Sequence, residues 1–242
     1  MILKDILRET LINLGIDLTK NLEYDRLTRE ILKRFIKTNH NCIDIGCHKG
    51  EILELILKYA PNGRHYAFEP IPYLFKGLKE KFDHKVRLFP YALSHRNGIT
   101  NFQLVKNAPA YSGIKKRKYN IKNPIIEEIQ VELKTLDSVI PDKENIHFIK
   151  IDVEGGEFGV LKGAQQLLEK NKPIILFECG KGASDYYGTH PEKLHEFLTK
   201  TIGLSVYTLK SFIKESSSLN TETFVQHFNT NDEYYFVAAP EQ

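Results

Sequence analysis

Two carboxylic acids that could remove a proton from a hydroxyl group stand at the ends of short apolar runs. Asp152 ends the predicted strand Ile146 to Asp152, and Glu178 ends the predicted strand Pro173 to Glu178. Parallel strands of this kind meet at their carboxyl ends, at the edge of an open sheet where ligands bind. His190 follows Glu178 closely enough to reach the same edge. We therefore predict catalytic roles in proton removal for Asp152, Glu178 and His190.

A glycine turn earlier in the chain is typical of a nucleotide site. The stretch Asn41 to Gly50 (NCIDIGCHKG) places an apolar run before the turn, and apolar residues recur at helical spacing from Glu51 to Lys58. The start of such a helix presents free N–H groups to a polar or anionic cofactor. A dinucleotide fingerprint needs glycine two positions after Gly46, where this chain has His48. The turn therefore suits a cofactor without a pyrophosphate. We predict that Asp44, Gly46, His48 and Gly50 bind this cofactor.

A further acid stands 25 residues after Asp44, in the run His65 to Pro70 (HYAFEP). Glu69 ends this predicted second strand, and an acid at that position can accept both hydroxyl groups of a ribose. A lone acid at a strand end is more often simply solvated. Its interval from the glycine turn favours a role in ribose binding, so we predict that Glu69 and Pro70 bind the cofactor.

Two polar loops are candidates for binding a second ligand. Asn107 to Pro124 contains glycine and proline and reads as an insertion between two strands, with Tyr111 and Ser112 nearest the site. The segment from Gly180 to Pro191 is a loop that contains Asp185, Tyr186 and Tyr187. Tyrosine rings can stack on the C–H face of a sugar while neighbouring oxygen atoms bind its hydroxyl groups. We predict that these five residues bind the substrate.

The order of strand and helix signals predicts a doubly wound α/β fold with a mostly parallel seven-stranded sheet. Strands are predicted at Val86 to Tyr91, Leu204 to Leu209 and Tyr234 to Ala239, besides those above. A single helix is predicted from Glu157 to Leu168, and Phe212 to Asn231 reads as a polar excursion. Residues 1–40 form a helical extension, with apolar spacing from Leu3 to Leu14 and from Leu27 to Phe35, and residues 41–242 form the main domain. The extension could cap the sheet, cover the cofactor or join two protomers.

The composition limits the class of protein and its partners. The chain has 242 residues, 41% of them hydrophobic, which suits one domain with a substantial core. Its 34 basic and 31 acidic residues leave a net charge of +3, which gives no reason to expect a nucleic acid partner. Three cysteines indicate neither a zinc site nor a disulfide framework, and no apolar stretch is long enough to span a membrane. We expect a cytoplasmic protein.

Several motifs together resemble the FkbM family of class I S-adenosylmethionine-dependent methyltransferases. The most specific is the block from Lys150 to Glu157 (KIDVEGGE), and the others, in the same order as in the family, are Phe68 to Pro70, Tyr91 to Ser94, Thr135 to Asp137 and Val160 to Ala164. The resemblance covers roughly Cys42 to Glu178. It implies that S-adenosylmethionine is the cofactor, that Ala92 faces its adenine and that Asp152 also contributes to its site. In this fold the last strand runs antiparallel between the fifth and the sixth.

The resemblance also implies O-methylation, often of a sugar hydroxyl in a glycan, a nucleotide sugar or a secondary metabolite. Asp152 and Glu178 could alternatively hold Mg²⁺ or another divalent metal that polarises the acceptor. Two other functions are open at this point. One is a nicotinamide (NAD-type) oxidoreductase, against which His48 argues, and the other is a catalytically silent binding protein on the same fold.

Overall fold

The computed structural model describes residues 10–12, 15–82 and 84–241. Seven strands form the main sheet, and these are β1 (Cys42–Ile45), β2 (His65–Phe68), β3 (Val86–Phe89), β7 (Phe148–Ile151), β8 (Ile174–Glu178), β9 (Ser205–Thr208) and β10 (Tyr235–Ala239). Their spatial order is β3-β2-β1-β7-β8-β10-β9. Strand β10 is antiparallel to both of its neighbours, and the other pairs of adjacent strands are parallel. The predicted sheet and the position of its last strand are confirmed.

The register of the parallel strands aligns the residues that follow them. Ile45 pairs with Phe68 on one side and with Ile151 on the other, and Ile151 pairs with Phe177. The next residues along these four strands therefore meet at one edge of the sheet. They are Gly46, Glu69, Asp152 and Glu178.

Helices cover both faces of the sheet. They are α1 (Lys20–Phe35), α2 (Glu51–Tyr59), α3 (Pro72–Phe82), α4 (Leu136–Val139), α5 (Glu157–Lys162), α6 (Gln165–Asn171), α7 (Pro191–Glu196), α8 (Leu209–Ile213) and α9 (Thr221–Thr230). Ile149 and Ile151 belong to the hydrophobic cluster on the side of α5, α6, α7 and α9, whereas Phe148 belongs to the cluster on the side of α1, α2 and α8. This alternation along β7 is the doubly wound arrangement.

Helix α1 packs into the main core. Its side chains Leu27, Ile31 and Leu32 are buried in the same cluster as Phe148, and the Thr19 hydroxyl caps its start by accepting the Leu22 N–H at 3.2 Å. The other predicted helix of the extension, Leu3 to Leu14, lies largely outside the described residues. Among the residues that the structure describes, no helix is long and apolar enough to cross a membrane.

A second sheet follows the third strand. The run from Val86 to Tyr91, predicted as one strand, divides at Pro90 into β3 and the short strand β4 (Tyr91–Leu93), because proline has no N–H group to continue the ladder. Strand β4 pairs with β6 (Ile126–Lys134), which also pairs with β5 (Gly98–Val105). The polar insertion therefore begins and ends on a separate three-stranded sheet.

Two helix predictions were wrong in detail. The segment read as a polar excursion contains α9, whose Phe224 and Phe228 are buried in the main core. A single helix from Glu157 to Leu168 was also expected, but it divides into α5 and α6 at Gly163. There the backbone passes so close to Ser94 that a Cβ on Gly163 would lie 2.0 Å from the Ser94 carbonyl oxygen.

This close approach predicts opposite effects for two glycine substitutions. Gly163→Ala should destabilise the protein by about 1–3 kcal/mol, because the added methyl group meets backbone rather than a side chain that can move. Gly77→Ala, inside α3 with open space around it, should stabilise the protein by roughly 0.5–1 kcal/mol. Urea unfolding of both variants measures the difference, and a Gly163→Ala variant as stable as Gly77→Ala would contradict the packing described.

Candidate active site

A cavity of about 1450 Å³ opens at the carboxyl edge of the parallel strands. The turn after β1 and the ends of β2, β7 and β8 line it, as do both loops that the sequence indicated. Helix α1 contributes Asn21, Tyr24, Asp25 and Thr28 to its wall. Binding pockets are commonly about 300–1,000 Å³, so this cavity has room for a cofactor together with a second molecule.

The glycine turn has a backbone that restricts its side chains. Gly46 has φ of 72°, and a Cβ there would lie 1.9 Å from the Asp152 carbonyl oxygen, so only glycine fits. His48 also has a positive φ, of 49°, and its Nε2 atom is buried without a hydrogen-bond partner. An unpaired buried polar atom that lines a cavity is the kind of group a ligand satisfies. Gly50, with φ of 80°, begins α2.

Glu69 joins the second strand to this turn. Its Oε2 atom accepts the His48 N–H and its Oε1 atom accepts the Ile71 N–H, both at 2.9 Å. The side chain is 4% exposed, and this burial raises the pKa of Glu69 to about 7. Pro70 and Ala92, which are predicted cofactor contacts, line the cavity nearby.

Lys150 is a site residue that the sequence reasoning missed. Its ammonium donates to the Gly46 carbonyl at 2.9 Å and lies 3.4 Å from Asp152 Oδ2 and 3.7 Å from Asp44 Oδ1. Burial disfavours the charged ammonium, but the carboxylates of Asp152 and Asp44 outweigh burial and raise the pKa of Lys150. The available signal was a lysine inside the buried run Phe-Ile-Lys-Ile.

Asp44 lies beneath the cofactor turn. Its side chain is fully buried and does not line the cavity, and burial raises its pKa to about 6. Neither of its carboxylate oxygens has a hydrogen-bond partner, and the nearby Lys150 ammonium balances its charge. Asp44 thus supports the turn through Lys150 and does not face the cavity directly.

Asp152 and Glu178 form a close pair of acids, as predicted. The hydroxyl of Tyr235 donates to Asp152 Oδ2 at 2.7 Å. Burial acts to raise the pKa of Asp152, but Lys150 and Tyr235 outweigh it and hold the pKa below its ordinary value. Burial, followed by the neighbouring charge of Asp152, raises the pKa of Glu178 well above its usual range. Asp152 therefore ionises more readily than Glu178, and Glu178 keeps its proton to a higher pH than Asp152 does.

The block after β7 forms a tight turn that brings Glu154 beside Asp152 and Glu178. Glu157 caps this turn, because its Oε1 atom accepts the N–H groups of Val153 and Gly155, both at 3.0 Å. Glu154 has φ of 61° and pairs with the guanidinium of Arg117. Carboxylate oxygens of Asp152, Glu154 and Glu178 all lie within 4.8 Å of one another. Such a group could hold a divalent metal, but Lys150 and Arg117 already place two cations beside it.

The two polar loops meet over this edge. Arg117 donates to the Gly182 carbonyl at 3.2 Å, and the Tyr187 hydroxyl accepts the Lys115 N–H at 3.1 Å. Tyr187 also lies against the turn, since a Cβ on Gly156 would be 3.2 Å from its ring. Tyr187 therefore holds the loops together, a role that its prediction as a substrate-stacking residue did not include.

The other predicted substrate residues differ in their exposure. All of them line the cavity, and so does His190, which is exposed directly before α7. The Ser112 hydroxyl is buried and accepts the Val105 N–H at 2.9 Å, so it binds the protein backbone. Asp185 accepts the Gly182 N–H at 2.7 Å, and Tyr186 is 43% exposed at the rim. Tyr111 lies beneath Arg117, whose guanidinium carbon is 5.5 Å from the centre of its ring.

The sheet order and a cavity at the carboxyl edge beside a glycine turn define a Rossmann-like class I methyltransferase fold. Residues 44–201 match the model of the methyltransferase FkbM domain, which is more than half of the chain. The chain belongs to the FkbM methyltransferase family, whose members depend on S-adenosylmethionine. The nicotinamide oxidoreductase that the sequence left open is set aside by this match. A search of curated proteins gave no significant match.

The solved structures to which this chain is similar have little sequence identity to it. The FkbM methyltransferase of Methylobacillus flagellatus is 12% identical, with a TM-score of 0.52 over 84% of this chain and 44% of that one. The chain thus spans less than half the length of that protein. Fibrillarin of Aeropyrum pernix with bound S-adenosylmethionine is 13% identical, with a TM-score of 0.45 over 88% of this chain and 74% of that one. An rRNA methylase of Streptococcus thermophilus is 11% identical, with a TM-score of 0.46 over 90% and 96% of the two chains.

The position of Lys150 predicts a large loss of stability when its charge is removed. Lys150→Met should lower the free energy of unfolding by about 3–5 kcal/mol, because it leaves the buried carboxylate of Asp44 and the half-buried carboxylate of Asp152 without their cation. Lys200→Met is the matched control, since Lys200 pairs with Glu196 on the exposed surface, and it should leave stability unchanged within error. Urea unfolding at pH 7.5 compares the two, and equal stabilities would show that Lys150 does not hold the site together.

Proposed function

We propose that the protein is an O-methyltransferase that methylates a sugar hydroxyl in a glycan, a nucleotide sugar or a secondary metabolite. The observation that supports this proposal is the carboxyl group of Asp152 at the cavity wall, whose pKa is held low by Lys150 and Tyr235. Lys150 bridges this carboxylate to the carbonyl of Gly46 in the cofactor turn. A group that can accept a proton is thereby held at a fixed position relative to the turn that would hold the methyl donor, which is what methyl transfer to a hydroxyl requires.

The residues around the turn fit S-adenosylmethionine. The buried carboxylate of Glu69 would accept the ribose hydroxyl groups, Pro70 and Ala92 would contact the adenine, and the unpaired Nε2 atom of His48 would gain a partner. When bound, this cofactor supplies a methyl group on a positively charged sulfur. Gly46 lets the cofactor turn pass close to the Asp152 carbonyl oxygen, which keeps this turn beside the acid at the end of β7.

Asp152 is the proposed proton acceptor. Its carboxylate would accept a hydrogen bond from the acceptor hydroxyl and then its proton, as the carbon–oxygen bond forms and the carbon–sulfur bond breaks. A low pKa does not prevent this role, because an alkylated hydroxyl that still holds its proton is a far stronger acid than a carboxyl group. Position therefore matters more than basicity, and Tyr235 and Lys150 provide it. Glu178, protonated, would donate a hydrogen bond within the pair.

The cavity wall supports a sugar as the acceptor. Tyr111 and Tyr186 offer aromatic faces on the two loops, and Asp185 and His190 add polar groups at the rim. Sugars bind to this combination because their C–H faces stack on rings while their hydroxyl groups need polar partners. His190 remains a second candidate for the base, from the exposed side of the cavity.

A divalent metal at Asp152 and Glu178 is a second version of the same chemistry. The three carboxylates within 4.8 Å support it, whereas the pairing of two of them with Lys150 and Arg117 supports a metal-free site. Methyl transfer measured after dialysis against EDTA, with and without added Mg²⁺, separates the two versions. A catalytically silent protein would bind the cofactor without transferring its methyl group in either condition.

The raised pKa of Glu69 predicts that cofactor affinity depends on pH. The ionised carboxylate binds the ribose, so affinity should fall as the pH decreases from 8 to 6 through a pKa of about 7. Lys150, Asp44 and the backbone N–H groups of His48 and Ile71 act on this carboxylate, and Asp44 titrates lower, at about 6. Glu69→Gln should bind S-adenosylmethionine about tenfold more weakly at pH 8.

Isothermal titration calorimetry of the wild type and Glu69→Gln at both pH values measures this effect. The ratio of the two affinities should shrink at pH 6, where the wild-type carboxyl is protonated too. Because both proteins bind the same cofactor, ionisation of the cofactor itself cancels in this ratio. A ratio that does not change with pH would show that the Glu69 carboxylate does not bind the ribose.

The roles of the acid pair predict effects on rate rather than on cofactor binding. Asp152→Asn should lower kcat by about 10²–10⁴-fold, since the amide keeps the shape but cannot take a proton. Glu178→Gln should have a smaller effect, because a protonated acid and an amide can both donate a hydrogen bond. Asp142→Asn, at an exposed position away from the cavity, is the control. Transfer of a labelled methyl group to a panel of sugars measures kcat, and wild-type rates for Asp152→Asn would refute the assignment.

A further inference from the structure

The cavity has more cationic than acidic side chains along its wall. Among the described residues that line it, nine carry a cation and seven carry a carboxyl group. The cations are Lys49, Arg96, Lys115, Arg117, Lys118, Lys150, Lys162, Lys181 and Lys193, and the acids are Asp25, Glu51, Glu69, Asp152, Glu154, Glu178 and Asp185. Two of these acids, the buried Glu69 and the half-buried Glu178, have raised pKa values, which reduces the negative charge further.

In the inner part of the site, the charges are balanced by ion pairs that do not include the lysines at the rim. Lys150 pairs with Asp152, and Arg117 pairs with Glu154. Lys115, Lys118 and Lys181 form no ion pair with a carboxylate of the described residues, and all three are exposed. Their positive charges are therefore not neutralised within the site. Since all three residues line the cavity, these charges are available to a ligand that binds there.

Contacts between the two loops join the segments that carry these three lysines. The N–H group of Lys115 binds the Tyr187 hydroxyl, and Arg117 binds the carbonyl of Gly182, the residue after Lys181. Asn231 holds the backbone of Lys181 by accepting its N–H at 2.9 Å and donating to its carbonyl at 2.9 Å. The backbone that carries the lysines is thus fixed at the junction of the loops, although their side chains are free to adjust to a ligand.

We infer that Lys115, Lys118 and Lys181 form a phosphate-binding subsite, and that the methyl acceptor is a sugar that carries a phosphate group. The inference rests on the proposed O-methyltransferase function and specifies its substrate class. Three separate ammonium groups suit a phosphate better than a carboxylate, because a phosphate offers more charge and more oxygen atoms. The phosphate can belong to a sugar monophosphate or to the diphosphate of a nucleotide sugar, and the cavity volume admits both.

The same chemistry could in principle recognise the backbone of RNA. The chain as a whole carries a net charge of only +3, which is small for a protein that follows a nucleic acid backbone. The subsite also lies beside Tyr111 and Tyr187 at a cavity wall rather than along an extended surface stripe. We therefore favour a small phosphorylated sugar, and RNA is one outcome of the test.

The experiment compares two triple variants that lose the same charge. One is Lys115→Gln with Lys118→Gln and Lys181→Gln, at the subsite. The other is Lys116→Gln with Lys122→Gln and Lys143→Gln, at exposed positions that do not line the cavity, two of them on the same loop. Each protein, loaded with S-adenosylhomocysteine, is titrated with glucose 1-phosphate, UDP-glucose, methyl glucoside and a 12-nucleotide single-stranded RNA. Lys181→Gln alone is a milder variant with one exposed change.

The subsite variant should bind the better phosphate probe about tenfold more weakly than the wild type, and the control variant should bind it within about twofold. Lys181→Gln should change affinity in the same direction, and the wild-type affinity should fall as salt increases. The relative affinities of the two phosphate probes identify the source of the phosphate. Methyl glucoside should bind equally to all variants.

Three results would overturn the inference. They are equal loss of affinity in both triple variants, no preference for either phosphate probe over methyl glucoside, and tighter binding of RNA than of UDP-glucose. Cofactor affinity measured on the same samples separates this failure from failure of the proposed function. If S-adenosylmethionine binds and a neutral sugar is methylated, only the phosphate subsite is wrong. If the cofactor does not bind, the proposed function is wrong as well.

Discussion

The buried ammonium of Lys150 is the interaction on which the site depends. It binds the Gly46 carbonyl, balances Asp44 beneath the turn and faces Asp152 at the cavity wall. A buried cation is costly unless it is paired and hydrogen-bonded, and here three groups from two adjacent strands satisfy it. The same contacts fix the distance between the cofactor turn and the proposed proton acceptor. Stability and geometry of the site therefore depend on one side chain.

A second constraint comes from the junction of the two loops. Each loop belongs to a different part of the fold, because one leaves the small sheet and the other follows β8. Arg117 joins them by pairing with Glu154 and by binding the Gly182 carbonyl, and Tyr187 joins them through the Lys115 N–H. The ion pair also neutralises one of the three clustered acids. The junction thus shapes the cavity and leaves the lysines at its rim free to meet a ligand.

Local patterns predicted most of the elements but not every boundary. Strand periodicity and the glycine turn located β1, β2, β7 and β8 correctly, because these strands are buried on both faces and appear as apolar runs. The division at Pro90 moved Tyr91 to Leu93 into another sheet. Gly163 divided a helix because of its contact with Ser94, which is about 70 residues away in the sequence and invisible to any local pattern.

The sequence alone determined the family, the sheet and the acids at its carboxyl edge, since these follow from motifs and from periodicity along one segment at a time. Only the tertiary structure revealed that Tyr235 binds Asp152 and that α1 lines the cavity. Strand β10 runs antiparallel to β8, so its first residue pairs with Glu178 at the site. Asp152 and Tyr235 are 83 residues apart, and neither the sign of a pKa shift nor the pairing of a buried lysine can be assigned until folding brings such partners together.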